Sequence, residues 1–321
     1  MRRSILITGG AGFIGLNLVY YLLEMNDGDV TIFDSLTYAA NRRELEKLKE
    51  EPRVQFIEGD VTKQAEVEQL FQRSYDVVVH LAAETHVDRS IAKAKPFLDT
   101  NMIGTYHLLE QVRQGRCGLL LHMSTDEVYG SLESTTEPLT EEALLRPGNP
   151  YAASKAGADL LIHSYVQTFS LPVIIMRAAN NYGRYQHAEK LIPKVIVHAL
   201  ENKTIPLYGD GAHRRQWLHV RDHCMAIVNI MKKGVPGDIY HIGGTREYTN
   251  LETVKRILHL LGKNEKLISF VEDRKGHDRR YALSSEKLKK QLGWQPVTSF
   301  EQGLEDTALW YRNQWRKGAF R

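Results

Sequence analysis

The chain has 321 residues, 42% apolar and 25% charged, the make-up of a globular protein rather than a disordered one. Lys and Arg (42) barely outnumber Asp and Glu (39), which gives no electrostatic footprint for a nucleic-acid partner, and 24 Gly with 10 Pro exclude a collagenous or Pro-rich design. At about 150 residues per domain, the length suggests two domains or one large α/β domain with an appendage. The first apolar run is short and breaks at Gly9-Gly10, unlike a signal peptide, and nothing approaches the ~20 apolar residues of a membrane span. A soluble, cytoplasmic protein with no membrane partner is expected. Cys117 and Cys224 make no CxxC or Cys/His spacing, so no metal is expected. Two buried free thiols or a disulfide both remain open for them.

In chain order, residues 4–8 (SILIT) read as a strand, followed by Gly-rich punctuation and a helix with Ile14, Leu18 and Leu22 on one face. Strands at 30–33, 54–57, 77–81 and 119–123 then alternate with helices at 41–51, 65–71 and 100–113. The run VVVHL at 77–81 is near-continuous and β-branched, as in a strand buried on both faces. Such alternation predicts a Rossmann-type doubly wound parallel sheet. A helix from Tyr151 to about 169 and a strand at 173–176 continue it. Beyond Asn180 the alternation loosens into loops between helices near 190–200, 222–231, 251–261 and 300–315. In the last helix, Leu304, Ala308, Tyr311 and Trp315 form a packing face. With no repeat and no linker, a smaller, mixed α/β C-terminal substrate-binding region docked on the sheet is expected. The division is 1–180 for a cofactor domain carrying the catalytic residues and 181–321 mainly for substrate, with some crossing of segments.

Gly9, Gly12 and Gly15 form GxxGxxG between the first strand and the first helix. Such a turn lets backbone approach a pyrophosphate and aims a helix amino terminus at it. Asp34 ends the second strand, where a carboxylate accepts ribose hydroxyls and repels a 2′-phosphate. NAD is therefore expected over NADP, with Arg42 and Arg43 read as a solvated helix face. Asp60 suits either an adenine contact or the cap of the helix after it.

Tyr151 and Lys155 form YxxxK, which places phenol and ammonium on one helical face. Free tyrosine ionises at about pH 10, and a neighbouring ammonium or an oxidised nicotinamide can each lower that by ~1–3 units. The arrangement suits removal of an alcohol proton while hydride leaves the same carbon.

Together with Ser124 and the glycine motif, these residues resemble the extended short-chain dehydrogenase/reductase superfamily, the group that acts on nucleotide sugars. The resemblance covers essentially the whole chain. Within it, LAAETHVDRSI (81–91), STDEVYG (124–130), PYAASKA (150–156), NNYGRYQ (180–186), EKLIP (189–193) and DRKGHDRRYA (273–282) are similar to the dTDP-glucose 4,6-dehydratases. STDEVYG discriminates, because related 4-epimerases and decarboxylases lack the Asp126-Glu127 pair. Dehydration needs one carboxylic acid to protonate a leaving hydroxyl and one carboxylate to take a carbon-bound proton. Neighbouring residues on a strand face opposite ways, so the pair serves one substrate only if it lies beyond the strand end.

The resemblance implies a reaction. Tyr151, with Lys155, takes the proton from the hydroxyl on sugar carbon 4, Thr125 hydrogen-bonds that oxygen, and NAD takes the hydride. Glu127 removes the proton from carbon 5, Asp126 protonates the hydroxyl leaving carbon 6, and hydride returns to carbon 6. It further implies NAD contacts at Phe13, Ile14, Ser35, Thr37, Val61, Leu81, Ala82, Ala83, Thr100 and Asn180. For the nucleotide sugar it implies Thr85, His86, Asn181, Glu189, Lys190, Leu191, Pro206 and Tyr208, with Arg215, Asn250, Arg274 and His277 toward diphosphate and ribose. It also implies a homodimer joined by the helices near 100–113 and 151–169. Several alternatives stand beside these: Tyr208 as core, Arg279 and Arg280 as partners of surface carboxylates, His86 as a helix cap. Ser35, His187-Ala188, Gln216 and His219 depart from the family pattern and leave the base open among thymine, uracil and others. A 4-epimerase or decarboxylase, or a non-catalytic NAD-binding sensor, are the competing functions.

Overall fold

The β-branched run at 77–80 lies at the centre of a seven-stranded sheet in the computed structural model, which describes residues 2–318. Six strands come from the first part of the chain: β1 (Ser4–Thr8), β2 (Asp29–Asp34), β3 (Val54–Glu58), β4 (Val77–His80), β5 (Leu120–Thr125) and β6 (Val173–Ala178). Later strands are β7 (Asn180–Tyr182), β8 (Ile205–Tyr208), β9 (Arg214–His219), β10 (Ile239–Ile242), β11 (Glu247–Thr249) and β12 (Ile268–Val271). The large sheet runs β10-β6-β5-β4-β1-β2-β3 and every pairing in it is parallel. This is a Rossmann-type doubly wound sheet.

Period-two alternation sorts its side chains into two cores. Ile5, Ile7, Val77, Val79 and Leu121 pack against the helices Phe13–Glu24 and Val220–Lys233. Leu6, Val78 and Leu120 pack on the other face against Gln64–Leu70, Gly104–Arg113 and Pro150–Phe169. In the first helix Leu18 and Leu22 are buried, but Ile14 is half-buried and lines a cavity.

Several elements differ from expectation. The helix expected at 100–113 begins as a widened π-helical turn, Leu98–Ile103. There the buried Asn101 turns inward, accepting from Glu84 N at 3.0 Å and donating to Ser154 Oγ at 2.8 Å. The strand expected at 119–123 extends to Thr125. The short strands after residue 200 were not legible, because runs of three to six residues such as RRQWLH show no clear period. Among them, β10 returns to the large sheet beside β6. The others make a three-stranded sheet β11-β9-β7 and a two-stranded sheet β12-β8. These two small sheets share a third core with the helices Leu191–Leu200, Asn250–Leu260 and Phe300–Arg316. Leu304, Ala308 and Tyr311 are buried in it, whereas Trp315 is half-buried. Both cysteines are free and buried. Among the described residues no helix is long and apolar enough to cross a membrane.

Beyond the end of β5 the chain folds into a 3-10 turn, Asp126–Tyr129, stopped by Gly130 at φ +73°. A Cβ on Gly130 would lie 2.2 Å from the Arg146 carbonyl oxygen. Gly130→Ala is therefore expected to cost about 1–3 kcal/mol, read as a lower urea midpoint at unchanged m-value.

Candidate active site

The glycine turn shows why its residues are glycines. Gly9 sits at φ +70°, and a Cβ there would collide with Ala82 N at 2.6 Å. A Cβ on Gly15 would lie 2.3 Å from Gly9 O. Close packing thus seats the amino terminus of Phe13–Glu24, capped by Gly12, at the end of β1. That is the point where the strand order reverses between β1 and β4.

Three adjoining cavities of about 370, 270 and 270 Å³ run from this turn along the carboxyl edge of the sheet. Each is of the size of small-ligand pockets. The first and second share Gly9, Gly12, Leu81 and Ala83; the second and third share Glu127, Asn180, Asn181, Glu189 and Lys190; Thr85 lines all three. The first is also lined by Asp34, Ser35, Thr37, Asp60, Val61, Ala82 and Thr100. Phe13, Ile14, Gly15, Thr125, Asp126, Tyr151 and Lys155 line the second. His86, Leu191, Pro206, Tyr208, Arg215, Asn250, Arg274 and His277 line the third. Every residue expected from the sequence to contact cofactor or substrate therefore borders one continuous groove.

Asp34 is locked in place, its two oxygens accepting from Ala11 N at 3.0 Å and Leu36 N at 2.8 Å. Asp60 accepts from Thr62 N at 2.9 Å, whereas the following helix is capped at Lys63, so Asp60 is not its cap. His86 does cap Val87–Ala92 and also lines the third cavity.

The acid pair satisfies the geometric condition. β5 ends at Thr125, and the 3-10 turn carries Asp126 and Glu127 into the same cavity as Tyr151 and Lys155. Asp126 is 3% exposed. Its Oδ1 accepts from Thr125 Oγ1 at 3.1 Å and its Oδ2 has no partner. Burial first, and the Glu127 charge second, push its pKa up to about 7. Glu127 is raised as well, by burial, and Arg274, Arg215 and Lys190 oppose that shift without cancelling it. Asn149 Nδ2 and Tyr281 OH each approach Glu127 Oε2 at 3.4 Å. Neither was singled out from the sequence; Asn149 declares itself only as the cap before Pro150, and Tyr281 only inside DRRYA.

Asn149 caps the helix Pro150–Phe169, whose first turn presents Tyr151. The phenol departs from expectation. Burial and the Glu127 charge raise its pKa, and only the hydroxyl of Thr125 opposes them appreciably. Lys155 Nζ donates to Met123 O at 2.5 Å, and burial pulls its pKa down to about 8.

In the third cavity, Arg215 is fixed by backbone carbonyls, donating to Arg214 O at 2.7 Å and Asp278 O at 2.9 Å. Tyr208 is 36% exposed there, so it is no core residue. Arg279 pairs with Asp210 and Arg280 with Glu247, both outside the cavity lining. His213 and His277 stack at 3.6 Å with Asp273 bridging them. Parallel rings hold their in-plane lone pairs apart, so that trio does not converge on one ion. Gln216 spends its amide on the Leu283 backbone, and His219 packs edge-on against Tyr182. Neither lines the third cavity. Tyr38, also not foreseen, donates to Glu189 Oε1 at 3.1 Å and lies under the Arg89 guanidinium, 3.7 Å away, which ties the first cavity to the third.

A ligand can satisfy buried polar atoms that the protein itself leaves unpartnered. Among the described residues they include Asp126 Oδ2, Asn180 Oδ1, Asn250 Oδ1 and Arg274 Nε, and all four residues line the groove. Known proteins share this frame. The profile of the GDP-mannose 4,6 dehydratase family matches residues 6–307. The chain belongs to that family. It is 44% identical to dTDP-glucose 4,6-dehydratase of Neisseria meningitidis, over 96% of this chain and 93% of that one. It is 47% identical to the low-salt glycan biosynthesis protein Agl12 of Haloferax volcanii, over 96% and 98%. The crystal structure of DesIV, a dTDP-glucose 4,6-dehydratase of Streptomyces venezuelae with NAD and TYD bound, superposes with a TM-score of 0.94 at 45% identity, covering 98% of each chain.

The electrostatics of the acid pair predict a coupled titration. Asp126 is expected to titrate near pH 7, and Glu127→Gln to lower that value, because the Glu127 charge disfavours ionisation of its neighbour. Carboxyl-selective NMR titration checks both.

Proposed function

We propose that this protein catalyses the NAD-dependent dehydration of a nucleoside-diphosphate glucose, dTDP-glucose foremost, to the 4-keto-6-deoxy sugar. The observation that carries the reading is the acid pair beyond β5, in one cavity with Tyr151 and Lys155. A 4-epimerase has no chemical use for two such carboxyls, and a sensor has none for the four groups together.

The groove fits NAD. Glycines leave room where a Cβ would block a pyrophosphate, a helix amino terminus faces that space, and the rigid Asp34 disfavours a 2′-phosphate. Gly9, Gly12, Phe13, Ile14 and Gly15 would hold the pyrophosphate side. Asp34, Ser35, Thr37, Asp60, Val61, Leu81, Ala82, Ala83 and Thr100 would hold the adenosine side, and Tyr151, Lys155 and Asn180 the reacting end. When bound, NAD supplies a hydride acceptor for carbon 4, which later returns the hydride to carbon 6, and a positive charge that offsets the burial of the phenol.

The chain's own residues do the rest. Tyr151 takes the proton of the carbon-4 hydroxyl, and Thr125 donates a hydrogen bond to that oxygen. The resulting ketone acidifies carbon 5, whose proton goes to Glu127, the member of the pair drawn toward ionisation by Arg274, Arg215 and Lys190, and is given back to carbon 5 when hydride adds to carbon 6. Asp126, with its pKa pushed up to about 7, keeps a proton to give to the hydroxyl leaving carbon 6 as water. The fixed fork of Arg215, together with Arg274, suits a diphosphate. Residues 1–180 thus carry cofactor and chemistry, and residues 181–321 mainly hold the nucleotide. The departures at Gln216 and His219 lie off the third cavity, whereas Ser35 lines the first and His187 the second, and the choice of dTDP-glucose rests on the likeness to dTDP-glucose 4,6-dehydratases.

A homodimer completes the reading. Leu98, Ile103, Tyr106, Leu160 and Phe169, all exposed, lie on Leu98–Arg113 and Pro150–Phe169, apolar faces that a second copy would cover.

Incubation with dTDP-, UDP-, CDP- and GDP-glucose is expected to show loss of water by mass spectrometry, fastest with dTDP-glucose. Asp126→Asn with Glu127→Gln is expected to slow that loss by at least about 100-fold while NADH absorbance still develops. Sedimentation is expected to give twice the chain mass, and Leu160→Lys to return it to one.

A further inference from the structure

The reaction above leaves one buried ion cluster unused. The helix Pro150–Phe169 carries Tyr151, Lys155 and Asp159 at four-residue spacing, on one face. Asp159 is 2% exposed. Its Oδ2 accepts from Ser124 Oγ at 3.0 Å and from Arg177 Nε at 2.9 Å. Arg177 NH1 donates onward to Tyr129 OH at 2.6 Å, which meets His241 Nε2 at 2.6 Å. The cluster therefore crosses from β5 through β6 to β10, entirely inside the protein. Oδ1 of Asp159 has no hydrogen-bond partner, and His122 Nε2 lies 3.8 Å from it.

Lys155 is as deeply buried, and its hydrogen bond goes to a neutral carbonyl, Met123 O. An ammonium in such a place tends to give up its proton unless a counter-charge holds it. Among the charges acting on it, Asp159 is the one that favours the ammonium. Burial pushes the Asp159 carboxyl up, and Arg177, Lys155 and the Ser124 hydroxyl oppose that shift. His80 on β4 and His122 on β5 also face this interior, and burial together with the Lys155 charge keeps both neutral, His80 down at about 3. His241 is likewise neutral at about 3. The acids Asp126 and Glu127 raise Tyr151 from the cavity side and Asp159 raises it from the interior, so the Asp159 charge favours the Lys155 ammonium and the neutral phenol alike.

We propose that Asp159 is a positioning residue for the reaction: its carboxylate, clamped by Arg177 and Ser124 one helical turn beyond Lys155, keeps the lysine charged so that it can assist Tyr151. This rests on the reading of Tyr151 and Lys155 as the proton-transfer pair. A neutral Lys155 cannot stabilise a phenolate, so losing the Asp159 charge lowers the pH above which oxidation of carbon 4 fails.

The test uses protein with Asp126→Asn and Glu127→Gln, in which elimination is blocked and NADH absorbance reports oxidation alone. Asp159→Asn is expected to move the alkaline limb of that rate downward by about one pH unit or more. Asp159→Asn with Arg177→Gln removes both members of the buried ion pair, so that Arg177 is not left uncompensated, guards against simple unfolding, and is expected to show the same displacement. Tyr129→Phe breaks the same network beyond Arg177 and is expected to lower the melting temperature with the limb unmoved. A limb unmoved in the folded Asp159 variants, or moved equally by Tyr129→Phe, overturns the proposal. Titration of Lys155 by NMR of ε-13C-lysine-labelled protein, with Lys155→Met as reference, reads the same shift without turnover. An enzyme inactive on every nucleotide glucose would thus sink the reaction while leaving the Asp159 claim measurable.

Discussion

Adjacent residues on an extended strand face opposite sides, so two neighbouring carboxyls can meet one substrate only where the strand has stopped. β5 stops at Thr125, and the four-residue 3-10 turn that follows closes at Gly130. Because the large sheet is parallel throughout, that ending lies at the same edge as the glycine turn after β1 and the loops after β4 and β6. The catalytic grouping is therefore a consequence of strand direction. Reverse β5 and the acids would emerge at the far edge, away from the cofactor groove.

Burial then sets the chemistry. The same desolvation pushes Asp126 and Tyr151 up and Lys155 down, each toward its neutral form. For an acid meant to protonate a leaving hydroxyl this is a gain. For a phenol meant to act as a base it is a cost, which has to be offset by positive charge. Arg274, Arg215 and Lys190 all favour ionised Glu127, while Arg215 also favours ionised Asp126. In the proposed reaction, groups suited to a diphosphate therefore bias Glu127 toward the role of base.

Behind the visible site, buried polar groups hold Asp159 four residues beyond Lys155. Ser124, Asp159 and Arg177 come from a strand, a helix and the next strand, and none of them lines the reacting end of the groove except Ser124. A buried ion pair is weak evidence for stability in itself, because desolvation can exceed the attraction. Its retention next to Lys155 is better explained by what the Asp159 charge does to that lysine.

Much of this was legible in the residues. Alternating periods declared the parallel sheet, the glycine spacing declared the turn, and YxxxK put phenol and ammonium on one helix face, because each rests on local geometry that a few neighbouring residues impose; the roles of the Asp-Glu pair came from the family resemblance. Less was legible after residue 180, where strands of three to six residues carry no measurable period and β10 finds its partner only across the whole domain. The widened turn at Leu98–Ile103, the clasp of Tyr38 on Glu189 and the approach of Asn149 and Tyr281 to Glu127 were silent as well. Sequence alone determined which groups are present and which helix or strand end carries them. Tertiary structure decided their charge states, since desolvation and the distance to Arg215, Arg274 or Asp159 depend on segments far apart in the chain that only packing brings together.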